Sequence, residues 1–178
     1  MQFSESFIYD ESSPTCLRWK RDSSWRTKAG DVAGGNGGDG YKMVRMNGRK
    51  YPCHRIVWQL FNGPLDDNIK IDHKNGVRTD NRIDNLRLAS NSQNGANSRK
   101  MKEGTSKYKG VSFHKRIKQW CARITVNRNI LNLGYFDSEI EASEVYDYAA
   151  IHYFGEFAKT NHEDSRRKYS EHLSSLYG

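Results

Sequence analysis

I-D-H-K-N-G-V-R-T-D-N-R-I-D-N-L-R-L-A-S-N-S-Q-N, from Ile71 to Asn94, is the stretch from which the rest of the chain is read. It sets a carboxylate beside an imidazole (Asp72, His73), follows them with an Asn75-Gly76 turn, and places two amides, Asn85 and Asn94, beyond a short hydrophobic run. That grouping has the make-up of a catalytic site. A hard divalent cation needs oxygen ligands, which Asp72 and the amide oxygen of Asn94 can supply. A water attacking phosphorus needs a base with a pKa near neutrality, and His73 is such a group. Asn85 carries a carbonyl suited to holding the other ring nitrogen. Asn81 is read instead as a turn or capping residue, because Asn accepts left-handed backbone and bonds its own chain; Asn85 is open to the same reading. Ile69 and Ile71 alternate with polar neighbours and deliver His73 to a strand end, while Leu86 and Leu88 give a second strand. Ser90 or Ser92 can cap a short helix holding Asn94, whose start can shift by a residue or two among Asn91, Asn94 and Asn97.

Upstream, Ile56, Val57, Leu60 and Phe61 recur on one helical face between Cys53 and Asn62, and Gly63-Pro64 ends that helix. His54, at its start, reads as a packing or hydrogen-bonding residue. Tyr41 to Tyr51 alternates around Asn47-Gly48, a strong hairpin signal. The glycine cluster from Gly30 to Gly40 lacks the Lys-Ser/Thr ending of a phosphate loop and reads as a connection between short strands.

The order His54-Arg55, Asp72-His73, Asn81-Arg82, Asn85-Leu86 and Asn94 resembles the HNH nuclease family, in its branch of phage and intron homing endonucleases. The spacings agree, with Asn85 twelve residues after His73 and Asn94 twenty-two after Asp72. The W-K, A-G, G-Y and N-G-R-K-Y elements ahead of H-R-I-V-W are similar to the lead-in of phage members. The resemblance implies a ββα-metal fold: a strand ending in Asp-His, a loop, a second strand and a helix with the last ligand. It also implies Asp72 and Asn94 as ligands of Mg²⁺ (or Mn²⁺), His73 as general base and Asn85 as its orienting partner.

The second half has its own pattern. Lys109 to His114 reads as a strand. On a second strand Trp120, Ala122, Ile124 and Val126 face one way, and Cys121, Arg123 and Thr125 the other. A turn at Asn127–Asn129 leads into a third strand, I-L-N-L-G-Y-F. Ser138 and Glu141 read as a capping box, followed by a helical stripe of Ala142, Val145, Tyr146, Ala149 and Tyr153 that ends at Gly155. The pieces Y-K-G-V, W-C-A-R-I, L-G-Y-F, E-A-S-E-V-Y-D-Y-A-A and F-G-E-F-A-K-T-N resemble the APETALA2-type DNA-binding domain. In that family a three-stranded sheet enters the major groove with its helix packed behind. The plant domains carry arginines and tryptophans on the DNA face where this chain has Lys109, Ser112, His114 and Asn132. The resemblance therefore implies the fold and not the recognised sequence.

Net charge is +8, and its location is informative: between Ala96 and Ile130 ten Lys and Arg face one acid, a net +9, which leaves −1 for the remainder. The basic character belongs to one segment and suits a polyanion. Candidate DNA contacts are Lys109, Lys115, Arg116, Lys118, Arg123 and Arg128. Arg123, mid-strand on the polar face, is the best base reader, because Arg pairs two hydrogen bonds with guanine. The three cysteines, Cys16, Cys53 and Cys121, are scattered and odd in number, which argues against a disulfide framework, and no second Cys/His pair follows Cys53-His54 at zinc spacing. The N-terminal M-Q-F-S-E-S-F-I-Y-D has no charged start followed by an apolar run, and no stretch reaches membrane length.

These readings converge on an α+β chain of two modules. Residues 1–95 form the nuclease module with a strand-rich lead-in, 96–106 a basic linker, 107–162 the APETALA2-type domain, a small three-stranded antiparallel sheet packed on one helix, and 163–178 a polar tail that is a short helix or disordered. The expected activity is a site-specific, homing-type DNA endonuclease acting on double-stranded DNA in the cytoplasm, without membrane attachment, as a monomer that nicks or a homodimer that cuts both strands. The alternative is a non-catalytic DNA-binding regulator with a relic HNH module.

Overall fold

The computed structural model describes residues 3–98 and 104–177. Most of the expected linker core, residues 99–103, lies outside the described residues. The chain is α+β with small antiparallel sheets, and it divides into two compact units, Met1–Ala89 and Ser90–Gly178. The division falls earlier than the sequence reading places it, so the short helix carrying Asn94 is part of the second unit.

The first unit opens with a hairpin of β1 (Phe7–Tyr9) and β2 (Leu17–Trp19), then a three-stranded sheet of β3 (Gly35–Asn36), β4 (Lys42–Met46) and β5 (Arg49–Pro52). The β4–β5 turn is Asn47-Gly48, with φ of 49° and 76°. Positive φ at both central residues is what a two-residue hairpin matching strand twist requires, and Asn and Gly reach it at low cost. Helix α1 (Cys53–Asn62) follows directly and buries Cys53, His54, Ile56 and Val57. Gly63, at φ 81°, ends it by donating its N–H to the Gln59 carbonyl. Arg55 then ties α1 to the next strand, donating to the carbonyls of Ile69 at 2.7 Å and Asp66 at 2.8 Å. That strand, β6 (Lys70–His73), pairs with β7 (Leu86–Ala89) in a register that sets Asp72 opposite Arg87 and His73 opposite Leu86. One core joins these pieces, built from Phe7, Leu17, Trp19, Val44, Ile56, Val57, Ile71 and Leu86.

The second unit begins with α2 (Asn91–Ala96), whose cap is Ser90: its hydroxyl accepts from the Gln93 N–H while the Gln93 side chain accepts from the Ser90 N–H. Strands β8 (Val111–His114), β9 (Gln119–Val126) and β10 (Asn129–Phe136) form an antiparallel sheet in the order β10-β9-β8. Helix α3 (Glu139–Phe154) covers one face, capped by the Ser138 hydroxyl, and α4 (Ser165–Tyr177) packs on α3, so most of the tail is helical. Gly110, at φ 75°, lies so close to the Tyr146 ring that a β-carbon there would meet it at 2.0 Å. Only glycine fits.

The buried stripe of α3 differs from the one expected from apolar spacing. It comprises Ala142, Ser143, Tyr146, Asp147, Ala150, Ile151 and Phe154, whereas Tyr153 is 46% exposed. The reason is Asp147, fully buried, whose carboxylate accepts from the N–H groups of Asn161 and His162, the Asn161 amide and the Ser165 hydroxyl. A buried acid so bonded anchors the following segment, and an apolar periodicity cannot register it.

Candidate active site

His73 ends β6 at 4% exposure. Its Nε2 lies 3.1 Å from Oδ1 of Asn81, which is itself fully buried. The Asn81 amide nitrogen donates to the Thr15 carbonyl at 3.3 Å, so the amide is turned with its oxygen toward the ring. An oxygen acceptor there requires Nε2 to carry the proton, which leaves the basic lone pair of neutral His73 on Nδ1. Burial pushes His73 below the ordinary histidine pKa, opposed by the Asn81 hydrogen bond and by Asp72, which favours the neutral ring. A neutral imidazole with a fixed tautomer is equipped to accept a proton.

The amide bonded to the His73 ring is that of Asn81, whose local sequence reads as a turn, and not that of Asn85. Asn85 pins the loop instead. Its Oδ1 accepts from the Asn75 N–H at 3.0 Å, and its Nδ2 donates to the Asp80 carbonyl at 2.8 Å and to Asn75 Oδ1 at 3.1 Å. Asp80 adds a side-chain bond from Asn75 and a paired contact with Arg82, whose guanidinium holds the Asp80 carboxyl down to about 2. The loop that returns the chain to β7 is thus cross-braced by its own side chains.

Three further residues surround His73. The His54 ring packs edge-on against it with centroids 5.1 Å apart, and Tyr41 lies 5.2 Å from His54 and 6.0 Å from His73. Arg78, exposed in the loop, lies over the Tyr41 ring at 5.0 Å and donates to the Asp39 carbonyl. It is a cation that the sequence reading did not single out, and its only local signal is its position in the loop after Asp72-His73. Nδ1 of His54 is buried without a hydrogen-bond partner.

Burial, reinforced by the charges of His73 and Arg55, pushes His54 down to about 3. An unfolded chain protonates His54 as pH falls through about 6.5, whereas the folded chain resists until about 3. Stability is therefore intact above 6.5 and lost as pH falls, by about 3 kcal/mol at pH 4. His54→Phe should remove that share of the acid dependence. Denaturant midpoints measured at pH 7 and pH 4 check this, and an unchanged acid dependence would contradict it.

Asp72, 5% exposed, is bonded through Oδ2 to Arg87 Nε at 3.0 Å and Nη2 at 2.9 Å. A cation at Asp72 would share the carboxylate with that guanidinium. A carboxylate oxygen still fits magnesium, which takes few protein ligands and retains waters or substrate phosphate oxygens. Among the described residues no group of three or more His, Cys, Asp and Glu stands together as a metal site. Asn94 lies on α2, in the second unit.

The candidate nucleic-acid residues separate into two kinds. Lys115, Arg116 and Lys118 are exposed together on the β8–β9 turn, and Arg128 on the β9–β10 turn, where Asn127 and Arg128 have φ of 50° and 70°. Arg123 is exposed on β9, on the strand face that also presents Thr125. Lys109 differs. Its ammonium turns inward and donates to the carbonyls of Gly95, Ala96 and Ser98, so its donors are occupied inside the unit. No helix among the described residues is long and apolar enough to cross a membrane.

Residues 51–96 match the family model described as HNH endonuclease. The chain is 38% identical over 72 residues to Protein 3.8 of Escherichia phage T7, which covers 40% of this chain and 60% of that protein. It is 44% identical over 62 residues to APETALA2-like protein 2 of Oryza sativa subsp. indica, covering 34% of this chain and 14% of the plant protein. A third relative, AP2-like ethylene-responsive transcription factor PLT2 of Arabidopsis thaliana, is 45% identical over 65 residues, 35% of this chain and 11% of that protein. The chain thus spans less than two thirds of each of these relatives, and no solved structure matches it significantly. The HNH endonuclease pattern accordingly runs from the end of β5 through α2 and contains His73, Asn81 and Asn85, while about a third of the chain is similar to AP2-like transcription factors.

Proposed function

We propose that the chain is a site-specific, homing-type DNA endonuclease with a ββα-metal nuclease module and an APETALA2-type DNA-binding module. The observation that carries this reading is a buried His73 whose ring nitrogen is held by the Asn81 amide oxygen, on a hairpin within the segment that matches the HNH endonuclease model. His73 takes a proton from a water through Nδ1 as that water attacks phosphorus. Asn81 keeps the proton on Nε2 and stabilises the imidazolium that forms. Asn85 holds the loop closed behind the base, and Arg78 supplies positive charge for a phosphate beside it. HNH nucleases in general use divalent metal ions; with Asp72 and Asn94 as ligands, Mg²⁺ or Mn²⁺ would supply Lewis-acid stabilisation of charge on the phosphoryl and leaving oxygens. Hydrolysis in this sense yields a 5′ phosphate and a 3′ hydroxyl. One such site cuts one strand, so a monomer nicks, and a double-strand break requires two copies or two events.

Double-stranded DNA is the partner in this reading. The tips bearing Lys115, Arg116, Lys118 and Arg128 contact phosphates, and Arg123 reads a base from the polar sheet face. Arg123→Ala is expected to weaken binding to the selected site by about 1–3 kcal/mol and relax preference at one base pair, whereas Lys115→Ala weakens binding to all sequences alike. Competition gel shifts against single-base variants distinguish the two. A second reading, a DNA-binding regulator without nuclease activity, is favoured by the identity to plant transcription factors and by the Arg87 pairing of Asp72. Protein that shifts its selected DNA but cuts it with no divalent ion would decide for that reading.

A further inference from the structure

The matched HNH segment ends at residue 96, yet its last seven residues, from Ser90, belong to the compact unit formed with the C-terminal sheet. A six-residue helix such as α2 cannot sustain itself in water and takes its order from tertiary contacts. Those contacts are few and specific. The Ser92 hydroxyl accepts from the Asn127 N–H at 3.1 Å, the Ala96 carbonyl accepts from the Lys159 N–H at 3.3 Å, and Ala96 packs with Ile124, Tyr146 and Phe154. Between α2 and the sheet lies a cavity of about 710 Å³, bordered by Ser92, Gly95, Arg123, Thr125, Asn127 and Tyr146, so the helix is held at points and not along its length.

The strongest of these points is Lys109. Its ammonium donates to three carbonyls at the end of α2, those of Gly95, Ala96 and Ser98, the last at 2.8 Å. The final carbonyls of a helix lack intrahelical partners and carry its negative pole, so a cation there satisfies both. Lys109 is in turn fixed from behind: Asn161 accepts from its N–H at 2.7 Å and donates to its carbonyl at 3.1 Å, and Asp147 of α3 holds Asn161. A continuous set of hydrogen bonds thus runs from α3 through Asn161 and Lys109 to α2.

We infer that Lys109 is a positioning residue for cleavage and not a phosphate contact: by holding the carboxyl end of α2 it keeps ordered the helix that carries Asn94. The inference rests on the nuclease reading for Asn94 and on geometry alone for α2.

The test uses the full chain with Lys109→Met, and with Ser92→Ala as a milder release of the same helix, melting curves first establishing that each variant folds. Amide exchange across residues 91–98 should accelerate at least tenfold in Lys109→Met and less in Ser92→Ala. Cleavage of bound DNA should fall at least tenfold in the first and in the same direction in the second, with DNA affinity and its salt dependence unchanged. If Lys109→Met instead lowers affinity and reduces the salt slope by about one, with exchange unaltered, Lys109 is a phosphate contact and the inference is wrong. Faster exchange with wild-type cleavage also overturns it. Should wild-type protein cut no DNA, the nuclease reading itself fails, and the exchange measurement alone decides whether Lys109 holds α2.

Discussion

His73→Ala is expected to reduce DNA cleavage by about a hundred- to ten-thousandfold while leaving DNA affinity within twofold of wild type. The expectation follows from separate locations. His73 is buried at the end of β6 in the first unit, whereas the exposed Lys115, Arg116, Lys118, Arg123 and Arg128 all belong to the second. Removing an imidazole from the first leaves the charge of the second intact, and it is that charge which sets non-specific affinity and its salt dependence. Rates under single-turnover conditions, with binding measured in EDTA, separate the effects. Equal losses in binding and cleavage would mean that His73 supports the fold and not the chemistry.

Asn81→Ala should be the more damaging of the two asparagine replacements, although Asn85 is the better match to a catalytic partner by spacing. Loss of the Asn81 amide leaves the His73 ring nitrogen and the Thr15 carbonyl without their buried partner, at a cost of at least about 2 kcal/mol. It also frees the imidazole to exchange tautomers, which removes the lone pair from Nδ1 for part of the time. Asn85→Ala opens the loop bonds to Asn75 and Asp80 but leaves Asn81 on the ring. Nitrogen chemical shifts of the His73 ring distinguish the cases: Asn85→Ala keeps the Nε2-protonated form, and Asn81→Ala yields a mixture. A mixture in Asn85→Ala with a single tautomer in Asn81→Ala would reverse the assignment.

Local chemistry wrote much of the fold into the sequence. Asn47-Gly48 specifies its hairpin because few residues tolerate two successive positive φ values, and the α1 stop at Gly63 and the α2 cap at Ser90 are equally local. The site was legible as a composition but not as a wiring diagram. Asn81 and Asn85 lie four residues apart with the same side chain, and what separates them is the Thr15 carbonyl, contributed by a turn sixty-six residues from Asn81. Likewise the charge of Lys109 is plain in the sequence, whereas its three carbonyl acceptors are not. The buried carboxylate of Asp147 was hidden for the same reason, since a polar residue on an apolar stripe reads as a break until its acceptors' partners are known.

DNA cleavage that needs both a divalent metal and His73 can be tested on a single plasmid. Full-length His73→Ala protein can select preferred sequences from a random duplex library, and those sequences, placed in a supercoiled plasmid, are then given wild-type protein with Mg²⁺, with Mn²⁺ or with EDTA. The account predicts open-circle product that requires both a divalent ion and His73, with linear product appearing only if two copies act. Plasmid that is bound and stays supercoiled with every ion, or is nicked equally by wild type and His73→Ala, would contradict it.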